Sequence, residues 1–137
     1  MSTHSQCILA TQPIDNSNVD MLIYKKIISA CQKNNITVAI KPHPREDISR
    51  YVAEFPNHLI IEGKIPLELV VFRADKKVNI LSIYSSAGLG FEKYCSQIRL
   101  IKDNELENAE LLFSQWATDI NLVDARLDKM FIELNKK

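Results

Sequence analysis

Glycine is scarce in this chain, with three in 137 residues, and two of those, Gly88 and Gly90, fall in one short stretch. The turn after the first apolar run reads Thr11-Gln12-Pro13-Ile14, without the GxGxxG that a dinucleotide site requires, and no Walker lysine loop occurs. NAD, FAD and Walker-type nucleotide binding are therefore excluded. The three cysteines, Cys7, Cys31 and Cys95, form neither a CxxC pair nor a Cys/His cluster. They argue against a disulfide framework or a zinc site and read as reduced, buried thiols of a cytoplasmic protein. Neither sign of charge dominates: 17 basic side chains meet 17 acidic ones, leaving no field to attract nucleic acid or an acidic membrane. No apolar run approaches the roughly 20 residues of a membrane span, and Met1 to Gln6 lack the order of a signal peptide. Nucleic acid and a transmembrane segment are not expected, and the partner should be a small molecule or another protein.

What is present is enough for one core. A chain of 137 residues with 46% hydrophobic content suits a single domain spanning 1–137. Cys7 to Thr11 is a compact apolar run, and Ser17-x-x-Asp20 opens a helical segment with apolar residues at 19, 22, 23, 27, 30 and 31. Asn34-Asn35 closes that helix. Ile36 to Ile40 is a second strand, stopped by Lys41-Pro42-His43-Pro44, since two prolines forbid both helix and ladder. Ile48 to Phe55 suits a short helix, His58 to Ile61 a short strand, and Pro66 a helical start running to Phe72. Val78 to Ile83 reads as a fourth strand, Ser85 to about Tyr94 as a helix, and Ile98 to Ile101 as a fifth strand. The tail from Leu106 to Leu134 is helical, broken near Thr118-Asp119. Strands alternating with helices predict an α/β fold. The expected form is a Rossmann-like parallel sheet of about five strands in the order 3-2-1-4-5, with helices on both faces.

Ligands of such sheets bind beyond the carboxyl ends of the strands, where strand order reverses. Two loops and one helix start there carry chemistry. His43, held between Pro42 and Pro44, can donate to a phosphate oxygen, and an ordinary imidazole pKa near ~6.5 suits acid catalysis. Ser85-Ser86 with Gly88 and Gly90 would set free N–H groups, two hydroxyls and a helix dipole at one anion site. Glu68, in Ile65-Pro66-Leu67-Glu68, could accept hydrogen bonds from ribose hydroxyls. Taken singly each also fits an ordinary role: a surface turn at His43, an N-cap at Ser85, a solvated first-turn acid at Glu68. A receiver domain would need an acidic pair after the first strand, where Thr11-Gln12 stands. A serine hydrolase would need GxSxG around Ser85 or Ser86, and neither pattern is present.

In combination, Lys41-x-His43-Pro44, Pro66-x-Glu68 and Ser85-Ser86, in this order and at these strand ends, resemble the bacterial sialyltransferases of glycosyltransferase family 52. Those are lipooligosaccharide sialyltransferases, with the polysialyltransferases related to them. The likeness covers roughly Cys7 to Trp116 and falls on the carboxy-terminal, nucleotide-binding domain, one half of a GT-B pair of Rossmann-like domains. It implies inverting, metal-independent transfer of sialic acid from CMP-sialic acid, with no cofactor, in the synthesis of surface polysaccharide or lipooligosaccharide. His43 would then be the catalytic residue, binding the CMP phosphate together with Ser85 and Ser86, and Pro44 would also contact CMP. Glu68 would bind the ribose, the backbone around Lys41, Gly63 and Lys64 would line the cytosine pocket, and Pro66 would also contact CMP. The general base of that family comes from an amino-terminal acceptor domain, which is not found before Cys7. The expectation is therefore a donor-binding half, with little or no transferase activity alone, that reaches its glycan acceptor through the missing domain. It would be cytoplasmic or peripheral at the inner membrane, and apolar surface on the cleft side would favour a homo-oligomer. The alternative is a non-catalytic nucleotide- or phosphate-binding or protein-interaction domain of the same fold. That domain would carry exposed Leu, Phe or Trp116 on its terminal helices.

Overall fold

The computed structural model describes residues 6–14, 18–72, 77–84 and 93–136. Its centre is a sheet of four parallel strands: β1 (Gln6–Ala10), β2 (Thr37–Lys41), β3 (Val78–Ser82) and β4 (Cys95–Arg99). They lie in the order β2-β1-β3-β4. β1 pairs with β2 from Gln6↔Thr37 to Ala10↔Lys41 and with β3 from Cys7↔Asn79 to Leu9↔Leu81, and β3 pairs with β4 from Val78↔Cys95 to Ser82↔Arg99. The chain leaves β1 toward one side of the sheet and later returns on the other. The point where strand order reverses thus lies between β1 and β3.

The count of about five strands and the order 3-2-1-4-5 are corrected. The segment expected as the third strand makes one parallel bridge, Ile60 to Ile40 at the outer edge of β2. Ile40 donates to the Leu59 carbonyl at 2.9 Å and accepts from the Ile61 amide at 2.8 Å. Alternate residues bond along such an edge, and the next one is Pro42, which has no N–H to offer, so the ladder cannot continue in that direction. β4 begins three residues before the expected Ile98, although Leu100 and Ile101 still donate to Ser82 and Ile83 at 3.0 and 2.8 Å.

Helices cover both faces. They are α1 (Val19–Lys33), α2 (Ser49–Glu54), α3 (Leu67–Phe72), α4 (Ala109–Thr118) and α5 (Asp124–Asn135), with 3₁₀ turns at Asp103–Asn108 and Ile120–Val123. Cys7 and Leu9 of β1, Leu81 of β3 and Ile98 of β4 join α1, α2, α4 and α5 in the main core. The alternate residues Ala10, Ile80 and Cys95 join Val71 and Leu67 of α3 in a smaller one. This is the period-2 division of a two-sided sheet. Each fully buried Leu or Ile contributes about 1.5–3 kcal/mol, so the larger face dominates stability.

The helical segment opened by Ser17-x-x-Asp20 begins at Val19. The cap position belongs to Asn18, in the left-handed region at φ 60°, while Ser17 lies outside the described residues. Asp20 is drawn to Arg50 of α2, at 3.1 and 3.3 Å. The end of α1 is as expected: Asn34 caps it, and Asn35 at φ 56° reverses the chain into β2. The break in the tail falls at Asp119, whose carboxylate accepts from the Asn121 amide at 3.1 Å.

Candidate functional site

The carboxyl ends of β1, β2 and β3 meet around Thr11, Gln12, the Pro42–Glu46 loop and Tyr84. Gln12 crosses the reversal point, because its side-chain oxygen accepts the Tyr84 amide beyond β3 at 3.2 Å. Its own amide donates to the Tyr24 hydroxyl of α1 at 3.1 Å. Burial, and after it the neighbouring Tyr51, hold the Tyr24 phenol well above its ordinary pKa, so this hydroxyl stays neutral as a clamp on the loop.

Lys41, buried at the end of β2, turns its ammonium to the Gly63 carbonyl at 2.9 Å and to the Pro42 carbonyl at 3.2 Å. Burial pulls its pKa below the ordinary value, and the charge of Glu68 partly restores it. Gly63 in turn lies against the His43 loop so closely that a Cβ there would sit 3.2 Å from the His43 carbonyl oxygen and 3.4 Å from Pro44 Cα. Lys41, Pro42, His43, Pro44 and Gly63 therefore form one unit, with Glu68 within electrostatic reach of Lys41. Lys64 and Pro66 lie exposed beside it. Ser85 and Ser86, with Gly88 and Gly90, lie outside the described residues, just beyond Tyr84.

The imidazole of His43 is half-buried. Its Nδ1 accepts the Arg45 amide at 3.1 Å, so the neutral ring carries its hydrogen on Nε2, a donor facing away from the loop backbone. Prolines on either side fix φ, and the loop also closes through a Glu46 amide bond to the His43 carbonyl at 2.9 Å.

Motif reading passed over Glu46. Its carboxylate is 4% exposed and takes four donors: the Thr11 hydroxyl at 2.6 Å and the His43 amide at 3.1 Å on Oε1, then the Tyr51 hydroxyl and the Arg50 guanidinium, at 3.5 Å, on Oε2. Arg50 continues to Asp20, whose carboxylate also accepts the Met21 amide at 2.8 Å. Burial raises the pKa of Tyr51, as does its hydrogen bond to Glu46. The only sign of this network in the sequence was a charged Arg45-Glu46 next to a helix start, which usually marks a solvated turn.

A family model described as glycosyltransferase family 52 matches residues 2–104. The chain belongs to glycosyltransferase family 52. No curated protein and no solved structure matches it. The span matched to family 52 takes in all four strands, α1 to α3 and the loop of His43 and Glu46, and it ends before α4. A glycosyltransferase moves a sugar from an activated donor to an acceptor, and the strand-end loops of β1 and β2 lie within the family 52 span. Among the described residues, no group of His, Cys, Asp or Glu could hold a metal ion, and no helix is long and apolar enough to cross a membrane. Outside that span, Trp116 and Phe113 are buried core residues, Trp116 lying beneath the Arg126 guanidinium at 5.5 Å. Of the exposed Leu, Phe or Trp116 expected of an interaction module, the described terminal elements bury Trp116, Phe113 and Phe131 but expose Leu111, Leu122 and Ile132.

Proposed function

We propose that this chain is the nucleotide-binding half of a family 52 sialyltransferase, holding CMP-sialic acid for inverting, metal-independent transfer to a glycan in the synthesis of bacterial surface polysaccharide or lipooligosaccharide. The observation that carries the reading is the His43 loop. An imidazole with Nδ1 occupied and Nε2 as its outward donor stands at the carboxyl end of β2, one strand from the reversal point. As the bond from sialic acid to CMP breaks, the sugar becomes oxocarbenium-like and negative charge grows on the departing phosphate. A donor already oriented there lowers the barrier without reorganising. On this reading Nε2 of His43 serves the phosphate together with Ser85 and Ser86. Glu68 receives the ribose hydroxyls, and backbone groups near Lys41, Pro44, Gly63, Lys64 and Pro66 line the nucleoside. Because Lys41 already holds the Gly63 carbonyl, its ammonium acts as a brace for the pocket wall rather than as a phosphate ligand. The acceptor sugar and the general base belong to the facing acceptor domain.

Titration of CMP into the chain by calorimetry, with UMP and AMP as controls, tests the reading. CMP should bind selectively, and His43→Ala should weaken it on the order of 10- to 100-fold, the worth of one hydrogen bond to a charged oxygen. Equal binding of the three nucleotides, or a His43→Ala affinity matching wild type, would exclude it.

A further inference from the structure

We infer that Glu46 is the positioning residue for His43: its buried carboxylate sets the loop backbone so that the imidazole is locked with its hydrogen on Nε2. The inference rests on the reading of His43 as the phosphate donor, but its geometry is independent of any ligand. A carboxylate offers about four lone-pair sites, and those of Glu46 are committed to Thr11, His43, Tyr51 and Arg50. It has no capacity left to take a proton from an acceptor or to bind a substrate hydroxyl, so it is not a catalytic base. It ties together three elements: Thr11 at the end of β1, the His43 amide in the loop after β2, and Arg50 and Tyr51 on α2. The prolines fix only their own φ, which leaves the loop a freedom in the orientation of the peptide planes from His43 to Glu46. Glu46 removes it at both ends, accepting the His43 amide through its side chain while its own amide donates to the His43 carbonyl. With those planes fixed, the Arg45 amide points at Nδ1, and only Nε2 can carry the ring hydrogen. Arg50 and Asp20 hold the far side of the carboxylate, so the clamp is anchored to the start of α1 as well.

The test is nitrogen NMR of the His43 ring in the ligand-free chain, with CMP titration run in parallel. Wild type should show the hydrogen on Nε2 alone, and a ring carrying it on Nδ1 overturns the inference before any variant is made. Glu46→Gln keeps an acceptor for Thr11 and for the His43 amide and should retain the tautomer. Glu46→Ala should give the mixed tautomers of a free imidazole, with the amide spectrum of β1 and β3 unchanged. If the alanine variant does not fold, Glu46→Asp, which withdraws the carboxylate by one methylene, should do the same. A loosened variant that keeps the Nε2 tautomer overturns the inference. CMP affinity should fall on the order of tenfold in the loosened variant, as for other residues that orient a ligand-binding histidine, and stay near wild type in Glu46→Gln. If wild type shows the locked tautomer yet binds no CMP, the donor-nucleotide reading fails and the role of Glu46 in fixing the ring stands.

Discussion

At Gly63 the side chain is excluded by backbone rather than by other side chains. The nearest atoms to an added Cβ are the His43 and Pro42 carbonyl oxygens and Pro44 Cα, and none can swing aside as the end of a long side chain would. Gly63→Ala should therefore push the two loops apart by a few tenths of an ångström at a cost of about 1–3 kcal/mol. Urea unfolding would show the loss, and CMP binding should weaken with it. The sequence exposed His43 because histidine between two prolines is chemically conspicuous. Gly63 and Lys41 entered only through a family likeness, and their bond to one another could not be anticipated, because a lysine at a strand end ordinarily reaches solvent. Glu46 escaped for a similar reason: only the fold shows that Thr11, Tyr51 and Arg50 converge on it.

The terminal elements carry an electrostatic clamp of their own. Glu105, in the 3₁₀ turn after β4, receives two bonds from Arg126 of α5 at 2.9 and 2.6 Å and one from the Lys102 amide at 3.1 Å. Arg126, and after it the Lys102 amide, hold the Glu105 carboxyl down to about 2 from its ordinary 4.5. A carboxyl lowered on folding stabilises the native state fully above its unfolded value, and that contribution disappears as pH falls from 4.5 toward 2. Since the Glu105 side chain is 31% exposed, solvent limits the effect to about 1 kcal/mol. The drop in urea midpoint between about pH 6 and about pH 3 should be smaller in Glu105→Gln than in wild type. At this scale most helices and strands were readable from periodicity and proline, including the break at Asp119. The edge strand was not, because His58 to Ile61 has a strand's composition, and what stops its ladder on one side is Pro42, which directly follows β2.

The whole molecule can be probed through its thiols. Cys7 lies in β1, Cys31 in α1 and Cys95 in β4, all buried. Burial pushes the Cys7 and Cys31 thiols up to about 12, the former helped by its neighbour Cys31. Thiolate is the reactive form, so the native protein should resist alkylation at mildly alkaline pH. Modification should then appear only at the rate of global opening, which mass spectrometry of timed samples in urea would measure. A thiol modified rapidly in native buffer would show that its element opens separately.

The strand order has a consequence for how the molecule is made. The first described strand, β1, is an inner strand, bonded to β2 on one side and to β3 on the other. During synthesis Gln6–Ala10 can meet β2 before β3, and one of its edges stays open until Val78–Ser82 has been made. Until then the nascent chain carries an apolar segment with unpaired amides, open to any neighbouring strand that reaches it first.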